Sequence, residues 1–101
     1  MDEIYLALQA LGIPVAYDHF AEGESPAPPF ICYLAPRSHN FFADDVVFER
    51  IERIQVELYT DRKDPSLEAK VENALASFCW EKTEVYLDTE NLYEILYEIE
   101  V

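Results

Sequence analysis

The sequence predicts an α+β domain, a mainly antiparallel sheet with two helices packed on one face, in the order α-β-β-β-α-β-β. Three observations predict it. Ile54, Val56 and Leu58 alternate with Gln55, Glu57 and Tyr59, the period of two that gives a strand one buried and one wetter face. Shortly afterwards Asp64-Pro65 offers an N-cap acceptor and a residue whose missing N–H costs nothing in a first helical turn, and Leu67, Val71, Ala74, Leu75 and Phe78 fall on one helical stripe. At the C-terminal end Tyr93, Ile95, Tyr97, Ile99 and Val101 alternate with Glu94, Leu96, Glu98 and Glu100, after a turn at Asp88-Thr89-Glu90-Asn91 and a strand holding Val85, Tyr86 and Leu87. The stripe of the helix is expected to lie on the sheet face that Ile54, Val56 and Leu58 present.

Taken in order, Ile4, Ala7, Leu8 and Leu11 form the apolar face of a first helix, with Asp2 and Glu3 near the positive end of its dipole, Gly12 as its stop and Pro14 beyond. Val15 and Tyr17 suggest a short strand. Gly23, Pro26, Pro28 and Pro29 make the following run a loop, stiffened toward polyproline II at its end. Phe30 to Leu34 is a continuous apolar run between Pro29 and Pro36 and reads as an inner strand. From Arg37 to Asp45 the chain reads as a polar loop, except that Phe41 and Phe42 are aromatics for which a loop has no structural need. They either fold back on the core or meet a partner. Val46 and Phe48 share the even phase of Ile54, Val56 and Leu58, whereas Val47 and Ile51 take the odd phase. Either a bulge lies near Arg50, or the strand overhangs the sheet and its outer half faces something other than this chain's own core.

At 101 residues and half apolar composition the chain is one domain that needs no staple. Its net charge of −14 argues against a direct grip on nucleic-acid backbone or on an anionic membrane surface. Cys32, in an apolar run, and Cys79, at the end of the second helix, read as core filler and not as a disulfide framework. MDEIYLALQALG lacks the basic head and long apolar run of a signal peptide, and no stretch reaches the roughly 20 apolar residues of a membrane span, so a cytoplasmic site of synthesis is expected.

The residues give little for catalysis. Asp18 and His19, with His39, Asp44 and Asp45, are the only His and carboxylate groupings suited to a metal or a proton transfer, and none has a recognised ligand spacing. Ser25 and Ser38 lack a nucleophile-elbow context, and neither cysteine has a CxxC setting. Gly12 and Gly23 are the only glycines, too few for a phosphate-cradling loop. No catalytic residue, cofactor or metal is expected. Glu49, Glu52, Glu57, Glu94, Glu98 and Glu100 read as an acidic sheet face, denser than a solvated face needs, because like charges opposed across strands are unfavourable. Seven tyrosines are many for this length, and Tyr59, Tyr86, Phe41 and Phe42 are candidates for exposure at an interface.

The run PPFICYLAPRSHNFFADDVVFERIERIQVELYTDRKDPSLEAKVENAL, then the strand from Lys82 to Leu87 and the closing LYEILYEIEV, resembles small proteins of the head-to-tail region of long-tailed phages and prophages of Gram-positive bacteria. These are the tail terminators, also called tail completion or tail-to-head joining proteins. The resemblance covers residues 4 to 101, and its marks are the PPF strand start, the SHNFFADD segment, the ELYTDRKDPSLE strand-to-helix turn and the LYE ending. It implies a single domain over 1–101 with a structural role and no enzymatic one. Members form a ring, commonly of six subunits, that caps the tail tube and joins it to the head connector. The implied partners are further copies of the chain, the major tail tube protein and a head-completion protein, while DNA passes without specific binding. The implied location is the host cytoplasm during assembly and then the virion's head-tail junction. On this reading Phe41, Phe42, Val47, Ile51, Tyr59 and Tyr86 are expected at subunit contacts, and Asp44, Asp45, Glu49 and Glu52 toward the lumen or ring face. The alternative is an acidic inhibitor that mimics DNA and blocks a host nucleic-acid-binding enzyme.

Overall fold

In the computed structural model the described backbone covers residues 2–20, 26–43 and 46–100, and the described side chains are those of 3–20, 26–35 and 53–100. The elements run α1 (Asp2–Gln9), β1 (Val15–Tyr17), β2 (Phe30–Ala43), β3 (Val46–Thr60), α2 (Pro65–Ala74), β4 (Cys79–Leu87) and β5 (Leu92–Glu100). This is the expected α+β order. The sheet order is β1-β2-β3-β5-β4, with β1 parallel to β2 and every other pair antiparallel.

Register explains the core. Ile31 lies opposite Leu58 and Tyr33 opposite Val56, while on the other flank Leu58, Val56 and Ile54 lie opposite Ile95, Tyr97 and Ile99. Side chains of one parity share one face, and these are all buried together with Ile4 and Leu8 of α1 and Val71 and Leu75 of α2. Both helices thus cover one face. The odd residues of β5 join the core, and its glutamates take the other face. Leu67, Phe78 and Trp80 close the margin of the same cluster.

Local chemistry sets the ends of the helices. Gly12 has φ +80 and its N–H bonds to the Gln9 carbonyl at 3.2 Å, the left-handed stop that a side chain resists. At α2 the Asp64 side chain accepts from Leu67 N–H at 3.1 Å, with Pro65 in the first turn. Asp64→Ala leaves that donor without its cap and is expected to cost about 1 kcal/mol. A thermal melt should show it as a drop of about 4–8 °C. An unchanged melt would mean that the cap contributes nothing here. In the last hairpin Asn91 adopts φ 53 between Leu87 and Leu92, which pair across the turn.

Three expectations are corrected. The segment from Arg37 onward is strand up to Ala43, not loop. Pro36 does not end β2, because Ala35 and Pro36 form a bulge between the Leu34–Gln55 and Arg37–Arg53 pairs, where a missing N–H breaks no ladder bond. Cys79 opens β4 instead of ending α2, and it is exposed where core filler was expected; Cys32 is buried. The loop before β2 holds a cis Pro28–Pro29 peptide. The phase change in β3 has both of the anticipated causes. Phe41 pairs with Glu49 and Phe42 with Val47, so the extra residue is Phe48, and β3 also runs beyond the end of β5.

Candidate assembly surface

Two features outside the helix-covered core distinguish this fold. The first is the outer half of the β2–β3 hairpin. Glu100 is the last residue of β5 to pair with β3, opposite Arg53, and among the described residues everything farther out pairs only within the hairpin. From Ser38–Glu52 to Ala43–Val46 this arm extends about 20 Å at the rise of a strand. It accounts for a longest dimension of 49 Å against 29 and 23 Å for the others, and for a radius of gyration of 15.0 Å. A compact chain of this length has about 13 Å.

The backbone of this arm carries most of the residues expected at contacts. Phe41 is opposite Glu49, Phe42 opposite Val47, His39 opposite Ile51 and Ser38 opposite Glu52. The side chains of Phe41, Phe42, Val47, Glu49, Ile51 and Glu52 lie outside the described residues, as do Asp44 and Asp45 altogether. Tyr59 lies back in the body of the sheet, half-buried, stacked on Phe30 at 5.0 Å with its hydroxyl donating to Glu57 Oε1 at 3.4 Å. Tyr86 is 46% exposed at the far edge, with its ring edge-on to Tyr93 at 4.9 Å and its hydroxyl donating to Asn91 Oδ1. The expected contact residues therefore do not form one patch: four belong to the arm, and Tyr59 and Tyr86 stand on opposite faces of the sheet.

The second feature is the sheet face turned away from the helices. Register places Glu57 beside Leu96, Tyr59 beside Glu94, Gln55 beside Glu98, Glu98 beside Glu81, and Arg53 beside Glu100. Glu57, Glu94, Glu98 and Glu100 thus share this face as the alternation implied, and Glu81 joins them. Burial and the neighbouring Glu94 raise the pKa of Glu57 above the ordinary carboxylate value. Burial, then Glu57 and Asp18, push the Cys32 thiol up to about 11, so it stays protonated and unreactive at neutral pH. Arg53 reaches Glu100 at 3.0 Å, at the edge of a concavity of about 400 Å³ that Glu81, Glu98 and Cys79 also line.

Sequence reasoning missed an ion network on the helix side. Glu68, only 3% exposed, accepts from Lys63 at 2.9 Å and from Lys82 at 2.7 Å. Lys82 also reaches Glu72 at 2.7 Å, Lys63 pairs with Glu84, and the Tyr97 hydroxyl donates to Glu72 at 2.8 Å. The signal lay in α2: Glu68 precedes Val71 by three and Leu75 by seven, which places a carboxylate on the apolar stripe. Burial opposes ionisation of Glu68, but the bonds from Lys82 and Lys63 outweigh it and lower its pKa. The Lys82 bond does the same for Glu72.

These opposed shifts predict the pH dependence of stability. Glu68 and Glu72 have depressed folded pKa values, so they contribute above the unfolded carboxylate value near ~4.3 and lose that contribution as the pH falls through their folded values. Glu57 has a raised folded value, so its ionisation is a cost at neutral pH that acid relieves. Melting temperature should rise as the pH falls from neutrality toward the ordinary carboxylate value and fall below it, and Glu57→Gln should flatten the first limb only. A melting temperature that falls steadily from pH 7 downward would contradict this.

Among the described residues no group of three His, Cys, Asp or Glu side chains is placed to hold a metal ion, and His19 is exposed and bonded to its neighbour Asp18 at 3.1 Å. No helix among them is long and apolar enough to cross a membrane. Among the described residues the surface offers an unpaired outer strand edge, a projecting arm and a face of carboxylates. Compared with known proteins, the chain matches no protein-family model and no curated protein.

Proposed function

We propose that this chain is a structural protein of the tail-terminator type, which assembles as a ring at the end of a phage tail tube and joins it to the head connector without enzymatic activity. The observation that carries the reading is the projecting β2–β3 arm. A strand pair that leaves its own sheet has no core of its own to bury against, and a neighbouring subunit supplies one. The acidic face adds support, since a negative lining lets DNA pass without adhering. Residues Phe41, Phe42, Val47 and Ile51 act as arm contacts, and Asp44, Asp45, Glu49 and Glu52 face the ring or its lumen.

The double substitution Phe41→Ser, Phe42→Ser tests the arm. If these rings serve a neighbouring copy and not this chain's own core, the variant should melt within about 4 °C of the unmodified chain and should no longer assemble on tail tubes. A large loss of stability would make these rings part of the core and remove the arm as an interface.

A further inference from the structure

We propose that two copies of this chain pair edge to edge through β4, antiparallel, about a twofold axis at Thr83. In the strand order β1-β2-β3-β5-β4, β4 is an outer strand, and among the described residues its far edge pairs with nothing. An unpaired edge of nine residues is a template for another strand. The sequence of this edge, Cys79-Trp-Glu-Lys-Thr-Glu-Val-Tyr-Leu87, is its own antiparallel complement. With Thr83 on the axis, Lys82 lies opposite Glu84 of the second copy, and the same pair recurs on the other side. Trp80 lies opposite Tyr86, also twice. Opposite charges and aromatic pairs directly across strands are the favourable combinations.

Neighbouring registers lose this match. An axis at Lys82 sets that ammonium against its own copy, and an axis at Glu84 does the same with two carboxylates. Register about Thr83 also keeps the even residues of both copies on the helix side, so the two sheets continue as one.

The groups involved have capacity left. Lys82 gives hydrogen bonds to Glu68 and Glu72, and an ammonium has three donors, so one remains for the facing Glu84. Glu84 meets Lys63 through Oε1, which leaves Oε2. Pairing would join the two ion networks into one across the axis. Such a contact is isologous and closes at two, so it differs from the contacts that build a ring. It describes the chain before assembly.

Cysteine pairing tests the register in the full chain with Cys79→Ser. Residues facing across an antiparallel pair have Cα atoms about 4.5–5.5 Å apart, within disulfide reach. Thr83→Cys should give a covalent dimer under air, two thiols passing two electrons and two protons to oxygen. Val85→Cys lies on the same face, two residues from the axis, so its two copies stand about 13 Å apart and should stay reduced. Equal yields from both positions, or no dimer from Thr83→Cys, would overturn the proposal. Sedimentation gives a second measure. The unmodified chain should reach twice its 11.7 kDa in the micromolar range, and Glu84→Lys should weaken association at least tenfold with an unchanged circular dichroism spectrum. A monomer at every concentration up to the millimolar range would also overturn it. Capping of tail tubes is a separate readout that neither result presupposes.

Discussion

Leu58→Ala is expected to lower stability by about 3 kcal/mol, the range for emptying a large side chain from a well-packed interior. Leu58 is fully buried, between Ile31 of β2 and Ile95 of β5, on the face that both helices cover. Its removal leaves a cavity at the place where three strands and the helix layer meet, and those neighbours are too constrained to close it. For a domain of this length the change should appear as a melting temperature about 12–24 °C lower. Leu6→Ala supplies the control, since Leu6 is 63% exposed on α1 and its loss should cost no more than about 0.5 kcal/mol. Comparable losses from the two would mean that the core does not lie where the strand register puts it.

Glu68→Ala is the second large effect, expected at about 2 kcal/mol. Here the loss comes from charge-assisted hydrogen bonds and not from apolar packing. Glu68 is buried against Lys63 and Lys82, and its removal leaves two ammonium groups that drew on it. Those lysines keep Glu84 and Glu72 and remain partly in contact with water, which holds the cost below that of a fully buried charge left alone. Glu68→Gln should retain part of the stability and make the acid limb shallower, because the amide does not titrate while Glu72 still does. If Glu68→Ala melts as the unmodified chain does, the network is a surface feature without energetic weight.

The sequence is informative where a strand or helix has a core to face. β3 alternates over Ile54 to Leu58 and β5 over Tyr93 to Ile99, broken only by Leu96, because one side of each meets the helices. The stripe of α2 is legible for the same reason. The outer half of β2 shows no such period, since it pairs only with β3 beyond the last residue of β5, and Pro36 imitates an end where there is a bulge. β4 starts earlier than its pattern suggests because an outer strand mixes Trp80 with Glu81, Lys82 and Glu84. The ion network joins residues as far apart in the chain as Lys63 and Glu84, so pairing was invisible before the fold, although the buried position of Glu68 was not.

The candidate surface was legible in part. The acidic face follows from β5's alternation, and Tyr86 is exposed as its place beside the hairpin turn implies. Tyr59 is half covered by Phe30, a contact between two strands that neither strand's own pattern reveals. The arm was anticipated only as one of two explanations for the phase change between Phe48 and Ile54.

The most direct test of the assembly role is tube length. On the proposed role, a phage tail-tube protein is allowed to polymerise with and without this chain, and the products are imaged in negative stain. Shortened tubes, each closed at one end by a ring with a central hole, are the result expected here. Tubes of unchanged length with bare ends would contradict the role, and retention of basic nucleic-acid-binding enzymes in place of tube protein would favour the DNA-mimic alternative.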